Sequence, residues 1–167
     1  ASFSRAVSYV GPMITEDARR VLELLDQIAS LEAGMRELSA SSEIARRLAT
    51  IPGFGDTSVA ELAGEIGARE RFEDEASLAL YLGMCPLDSS SGTYRGSKAP
   101  RQVNKRARKA MMNALYHHIR KVPQSRAYYE RKRAQGKNHN QALRSLGRHM
   151  VRVIWRMLED GRDYEIR

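Results

Sequence analysis

The chain has 167 residues and a formal charge of +8, from 28 Lys+Arg against 20 Asp+Glu, and contains a single cysteine. That length accommodates one ordinary domain with a real core, or a smaller domain with a long helical extension, and makes two full domains an unexpected outcome. Lone Cys85 excludes an internal disulfide and argues against a cysteine-based zinc site; no run of about eighteen apolar residues and no export signal is present, so the cytoplasm is the expected compartment and no membrane partner is expected.

The sequence opens on Ala1 rather than Met and passes directly into an amphipathic pattern, as expected of a fragment. Thr15, followed by Glu16 and Asp17, reads as a capped helix start, and the helix is expected to run to about Leu38. Val21, Ile28 and Met35 recur every seventh residue, and Leu24, Leu31 and Leu38 follow each by three, which is an a/d seam. Residues 1–40 are therefore read as a coiled-coil connector helix that supports a homodimer or higher assembly. The competing reading packs the same stripe, broadened by Leu22 and Leu25, onto the chain's own globular part.

A short helix capped by Ser41 or Ser42 carries Ile44, Leu48 and Ile51 on one side and stops at Pro52. Ile51-Pro52-Gly53-Phe54-Gly55 then leads to a helix capped by Asp56, Thr57 or Ser58, with Val59, Leu62, Ala63 and Ile66 as its apolar face and Gly67 as its stop. Two short helices around such a turn resemble a helix-hairpin-helix module at about 42–67. In such a module Gly53 and Gly55 let backbone N–H groups approach a phosphate. A further helix, started by Asp74 or Glu75, ends at Gly83.

From about residue 84 to 103 the helical period is lost, and the Ser-, Gly- and Lys/Arg-rich segment reads as a loop that orders on binding or as a short hairpin. The charge changes sign here: residues 1–88 hold 8 basic and 15 acidic groups, residues 89–167 hold 20 and 5. No acid occurs between Ser89 and Tyr129, a polyanion-binding pattern. Helical pattern resumes near Asn104 with Ala107, Met111, Ala114, Leu115 and Ile119 facing inward, while Lys105, Arg106, Arg108 and Lys109 crowd a first turn whose dipole disfavours cations. An anion at that turn would resolve the misfit. Pro123 ends this helix, Ser125 is expected to cap the next, and the last runs from about Asn140 to Leu158.

No metal site is expected in the chain. Adjacent His117 and His118 point about 100° apart on a helix, and the acids Glu70, Glu73, Asp74 and Glu75 are a helix-start run. The segment Asp88-Ser89-Ser90-Ser91-Gly92-Thr93-Tyr94-Arg95-Gly96-Ser97-Lys98 is different, because it sets hydroxyls beside glycines and follows them with Arg95, Lys98 and Arg101. A serine attacking a phosphodiester needs cations to steady the pentacovalent phosphorus and a backbone that lets the strand come near. By itself the same composition also suits a flexible linker or a phosphate clamp.

The stretches Ile51-Pro52-Gly53-Phe54-Gly55, Ala60-Glu61-Leu62-Ala63-Gly64-Glu65-Ile66-Gly67, Tyr81-Leu82-Gly83-Met84-Cys85-Pro86, Ser91-Gly92 and Tyr129-Glu130-Arg131-Lys132-Arg133-Ala134-Gln135-Gly136-Lys137 together resemble, in order and spacing, the C-terminal transposase domain of the insertion-sequence one-ten (Piv/MooV-like) recombinases. The resemblance runs from about residue 48 to 164. It implies a serine nucleophile in the Ser-Gly pair, here Ser91, with Ser90 and Ser89 as alternatives, assisted by Arg95 and Lys98. It further implies a RuvC-like domain elsewhere in the full-length protein that binds Mg2+, DNA as substrate, and a structured guide RNA as a further partner. The expected fold is all-α, a helical domain over 41–167 with the connector helix before it. The expected function is DNA binding with serine-mediated cleavage and strand exchange in the full-length protein, and an inactive isolated fragment; Gly53, Gly55, Arg101, Lys105, Arg106, Arg108 and Lys109 would hold nucleic acid. The alternative is a helix-hairpin-helix module that binds nucleic acid without chemistry.

Overall fold

The computed structural model describes residues 2–85, 87–91, 93–98 and 103–166, with side chains at 10–85, 93 and 103–166. The all-α expectation holds: seven helices and a single 3-10 turn form the fold, and one two-stranded hairpin is the only sheet among the described residues. The helices are α1 (Ser2–Ala40), α2 (Glu43–Ala49), α3 (Asp56–Ile66), α4 (Glu75–Tyr81), α5 (Lys105–Lys121), α6 (Pro123–Ala134) and α7 (His139–Asp160). Strands β1 (Leu87–Ser91) and β2 (Tyr94–Lys98) lie between α4 and α5.

Local chemistry sets most of the boundaries. The Ser42 hydroxyl accepts from the Ala45 amide and starts α2, and Asp74 and Ser77 form a reciprocal capping box at α4, as do Asn138 and Gln141 at α7. Three expected starts are corrected. Helix α1 begins at Ser2, and Thr15 lies within it, its hydroxyl donating to the Gly11 carbonyl at 3.0 Å, the back-bond that replaces capping inside a helix. Helix α3 is capped by the extended backbone of Gly55 with no side-chain bond, because Asp56 is already helical and turns to Arg36 of α1 at 3.1 Å. Helix α6 starts at Pro123, whose fixed φ and missing N–H suit the first position, so Ser125 is left for another partner.

That partner is His118, the one buried histidine of α5. Its Nδ1–H donates to the Pro52 carbonyl at 2.6 Å, and its Nε2 accepts from the Ser125 hydroxyl at 2.9 Å, so one neutral ring fastens the α2–α3 turn and α6 to α5. Gly53 permits this contact. With φ +92° it presses against α5 so closely that a β-carbon would sit 2.5 Å from the His118 backbone nitrogen. Around this contact a single core forms from Leu48, Ile51, Leu62, Ile66, Leu115 and Ile154, among others. Helix α5 lies at its centre, packed against α3, α6 and α7.

The apolar stripe of α1 does not join that core. Val21, Leu24, Ile28 and Leu31 are 41–69% exposed, and only the end of the helix near Met35 reaches α2 and α3. The reading in which the stripe packs onto its own globular part is therefore corrected: the heptad face is open along most of its length.

Burial holds the His118 pKa below the ordinary imidazole value, outweighing the Pro52 carbonyl, which favours protonation. The native state thus resists a proton that the unfolded chain accepts. Stability from this ring is complete above the ordinary value of 6.5 and is lost as pH falls through the depressed native value. Urea midpoints should fall on acidification from neutral pH, and His118→Asn should flatten that fall while lowering stability throughout. An unchanged pH dependence in the variant would show that the ring does not carry this linkage.

Candidate nucleic-acid interface

The serine segment forms an antiparallel hairpin, in keeping with the second of its two expected forms. Ser91 stands opposite Tyr94, Ser90 opposite Arg95, Ser89 opposite Gly96 and Leu87 opposite Lys98. Arg95 is thus one register position from Ser91 near the tip, and Lys98 is at the base. The side chains of Ser89, Ser90, Ser91, Arg95 and Lys98 lie outside the described residues, as does Arg101 altogether.

Both ends of the hairpin segment are rooted on the C-terminal turn of α4. At the entry, the Met84 amide donates to the Ala79 carbonyl at 2.8 Å. The Met84 side chain is fully buried against α7, where a β-carbon on Gly147 would meet its sulfur at 2.3 Å. At the exit, the Asn104 amide donates to the Tyr81 carbonyl at 3.0 Å. Asn104 also caps α5, its Oδ1 accepting from the Arg106 and Ala107 amides, while its Nδ2 donates to the Tyr81 hydroxyl at 2.7 Å and to Glu65. Tyr81 in turn donates to the Glu65 carbonyl at 3.1 Å. Asn104, Tyr81 and Glu65 therefore fix the hairpin's base relative to α3 and α5. Sequence reasoning placed none of the three in the site; Asn104 carried a signal as the residue opening the basic helix, but its partners are distant in sequence.

The basic start of α5 divides into different environments. Lys105 and Lys109 are exposed. Arg106 reaches across to Glu65 at 3.1 Å and Glu61 at 3.5 Å on α3, so the anion expected at this turn is supplied at least in part by the chain itself. This pair is largely solvent-exposed on the Arg106 side and contributes little to stability. Arg108 is half-buried, and its stem lies across Gly83.

Lys105, Lys109, Asn113, His117 and Lys121 follow one another at four-residue intervals, and all five are exposed. They form an inclined ridge that turns about 160° around α5 while rising about 24 Å. Its far end meets a cleft lined by Gly53, Phe54, Gly55, Thr57, Ser58, Asn113, His117 and Lys121, together with two carboxylates, Glu32 and Asp56, the latter paired with Arg36. The first amides of α3 open there without a side-chain cap, and a β-carbon on Gly55 would meet nothing within 4 Å. Gly55 thus keeps its backbone accessible, whereas Gly53 is shaped by its contact with α5. The spacing of this ridge is legible in the sequence, where His117, like His118, reads as a polar surface or core group rather than a metal ligand. Among the described residues no group of three or more His, Cys, Asp or Glu could hold a metal, and no helix is long and apolar enough to cross a membrane.

Replacing Asn104 by Ala removes the α5 cap and takes one partner from each of the Tyr81 and Glu65 polar groups, so a loss of about 1–2 kcal/mol is expected. Hydrogen exchange at the backbone amides of residues 84 and 104 should report loosening of the hairpin base in this variant. Wild-type unfolding and exchange would show that the network does not hold the hairpin.

Comparison with known proteins follows the same stretch of chain. Residues 45–130 match the sequence model described as the transposase IS116/IS110/IS902 family. The chain is 38% identical over 143 residues to the 43.6 kDa protein of insertion element IS110 from Streptomyces coelicolor, a match covering 85% of this chain and 35% of that protein. It is 35% identical to the 42 kDa protein of insertion element IS900 from Mycobacterium paratuberculosis, over 88% of this chain and 37% of that protein. It is also 25% identical to the pilin gene-inverting protein of Moraxella bovis, over 96% of this chain and 50% of that protein. The chain therefore spans between about a third and a half of these relatives' lengths. With the family match spanning the α2–α3 turn, the hairpin, α5 and most of α6, the chain belongs to the IS116/IS110/IS902 transposase family.

Proposed function

We propose that the chain is the DNA-handling, nucleophile-bearing part of a recombinase that cleaves and exchanges DNA strands through Ser91. The observation that carries this reading is the hairpin itself: a serine-rich strand on a base tied twice to the Tyr81 turn, with the cationic start of α5 fastened to the same turn through Asn104. A nucleophile held this way has its strand positioned from a rigid core.

In the reaction, the Ser91 Oγ forms a bond to a DNA phosphorus, the bond from that phosphorus to one deoxyribose oxygen breaks, and the departing oxygen takes up a proton. The serine proton passes to a base or to solvent, and reversal with a different deoxyribose hydroxyl joins the exchanged strand. Arg95 and Lys98 are assigned to the charge that develops on the phosphoryl oxygens. Lys105 and Lys109, with Arg101, Arg106 and Arg108, are assigned to phosphates of the bound strand, and the α2–α3 turn with Gly53 and Gly55 to a neighbouring phosphate, as in a helix-hairpin-helix module. The described residues do not offer a ligand set for Mg2+. The metal is assigned to a RuvC-like domain in the part of the longer relatives that this chain does not span, and no step here is routed through it. A structured guide RNA is a further proposed partner.

The open heptad face of α1 supports a second assignment, a parallel two-stranded coiled coil with another copy. Val21 and Ile28 put β-branched residues at a positions while Leu24 and Leu31 occupy d, the combination that favours parallel dimers. Charged substitutions at Leu24, Ile28 and Leu31 should give a folded monomer by light scattering, because these side chains are not in the core. Unfolding, or a persistent dimer, would remove this assignment.

For the serine, the decisive measurement is a denaturing gel of full-length protein incubated with labelled target DNA. Ser91→Ala should abolish cleavage and the covalent adduct while leaving affinity nearly unchanged, since one hydroxyl adds little beside many phosphate contacts. An adduct that survives Ser91→Ala but is lost with Ser90→Ala or Ser89→Ala moves the nucleophile along the strand. One that survives all three removes serine catalysis and leaves a nucleic-acid-binding module.

A further inference from the structure

Helices α6 and α7 pack along each other and gather a second group of cations. Tyr128 of α6 and His149 of α7 form its centre, with the phenol oxygen 2.9 Å from His149 Nε2 and the rings edge to face at 5.0 Å. The Arg131 guanidinium lies 5.1 Å from the centre of the Tyr128 ring, and the Lys132 ammonium lies 5.4 Å from it. Arg148 and Arg152 approach from α7, both paired with Glu75 of α4, Arg152 at 3.2 Å. Glu75 is the one carboxylate paired into the group among the described residues; Arg131 and Lys132 face the phenol rather than an acid.

The charge is therefore concentrated rather than balanced. His149 reports it: burial, then the fields of Arg152, Lys132, Arg148 and Arg131, hold its pKa below the ordinary imidazole value. Every charge pressing on this ring comes from α6 or α7 and none from α5, which separates the group from the α5 ridge. Gathering like charges with so little compensation is unfavourable unless an anion relieves it. Arg144 and Arg156 continue the four-residue spacing of Arg148 and Arg152 along α7, with steps of about 6 Å, Arg156 being paired with Glu159 at 2.9 Å. A row of that kind suits an extended, repeating anion better than a single ion.

We propose that the α6–α7 cluster is a second phosphodiester-binding surface, which holds a nucleic-acid segment other than the one at the serine hairpin. Guanidinium groups take phosphate oxygens in paired hydrogen bonds. No base-reading role is assigned: the faces of Tyr128 are already occupied by cations, so the surface follows backbone rather than sequence.

The test is fluorescence anisotropy of this chain with a labelled DNA duplex, and in parallel with an RNA duplex of the same sequence, across a salt series. Arg131→Ala with Lys132→Ala should lower the slope of log affinity against log salt by about 0.9 for each phosphate that the protein no longer neutralises. The pair Lys109→Ala and Lys121→Ala, on the α5 ridge, should lower it separately, and the two decreases should add. A decrease confined to DNA or to RNA assigns the segment to that source; equal decreases show that the shared backbone is what is held. Arg131→Lys with Lys132→Arg should keep the wild-type slope. If the alanine pair leaves the slope unchanged with both nucleic acids, or the charge-conserving pair fails to preserve it, the second surface is overturned. An unchanged slope for the α5 pair alone would count against the ridge and leave the α6–α7 surface standing.

Discussion

The position of α5 depends on a backbone contact that tolerates no side chain. Gly53 lies against the His117–His118 stretch of that helix, at distances where a β-carbon would collide with main-chain atoms that cannot move aside. Because α5 packs against α3, α6 and α7, this approach fixes several relations together: the turn before α3, the cationic ridge, and the start of α6 through His118 and Ser125. The glycine proposed to approach a phosphate is thus also a packing glycine. The two demands fall on neighbouring residues, Gly53 toward the core and Gly55 toward solvent.

A second constraint concerns the hairpin. A two-stranded ribbon is marginally stable alone in water, so its placement must come from its ends. Met84 is anchored by packing and a backbone bond, and Asn104 by polar bonds to Tyr81 and Glu65. One end is thus held mainly by shape and the other by directional bonds. The serines consequently stand on a base defined by α4, α5 and α7, although none of these helices contributes a residue to the strands.

The helices were largely legible in the sequence because apolar period and capping chemistry agree: Ser42, Asp74 and the Gly67 and Gly161 stops all act where local rules put them. The misplaced starts share a cause, which is that a polar side chain near a helix end had another use. Thr15 bonds back inside α1, Asp56 reaches Arg36, and Ser125 serves His118. The candidate site divides in the same manner. Spacing alone exposed the α5 cations and the Ser/Gly segment, whereas the Asn104–Tyr81–Glu65 network joins residues up to 39 positions apart and has no sequence period to betray it. His118 was read only as a core or surface polar group, since nothing local names Pro52 as its partner.

Glu65 divides its two oxygens between different tasks: Oε1 faces Arg106, while Oε2 faces Asn104 and the Tyr81 hydroxyl. A phosphate that draws Arg106 toward itself takes one partner from this carboxylate and leaves its charge to the residues that hold the hairpin's base. Phosphate binding at Arg106, as proposed, and the set of the hairpin's base would then be linked through one side chain, and linkage of this kind is reciprocal in free energy. Whatever firms the hairpin base by tightening Asn104 on Glu65 also loosens the competing hold on Arg106 and frees that cation for the strand. Under the assignments proposed for Arg106 and the hairpin, this carboxylate would be the balance point through which hold on a phosphate and firmness of the hairpin's base favour each other.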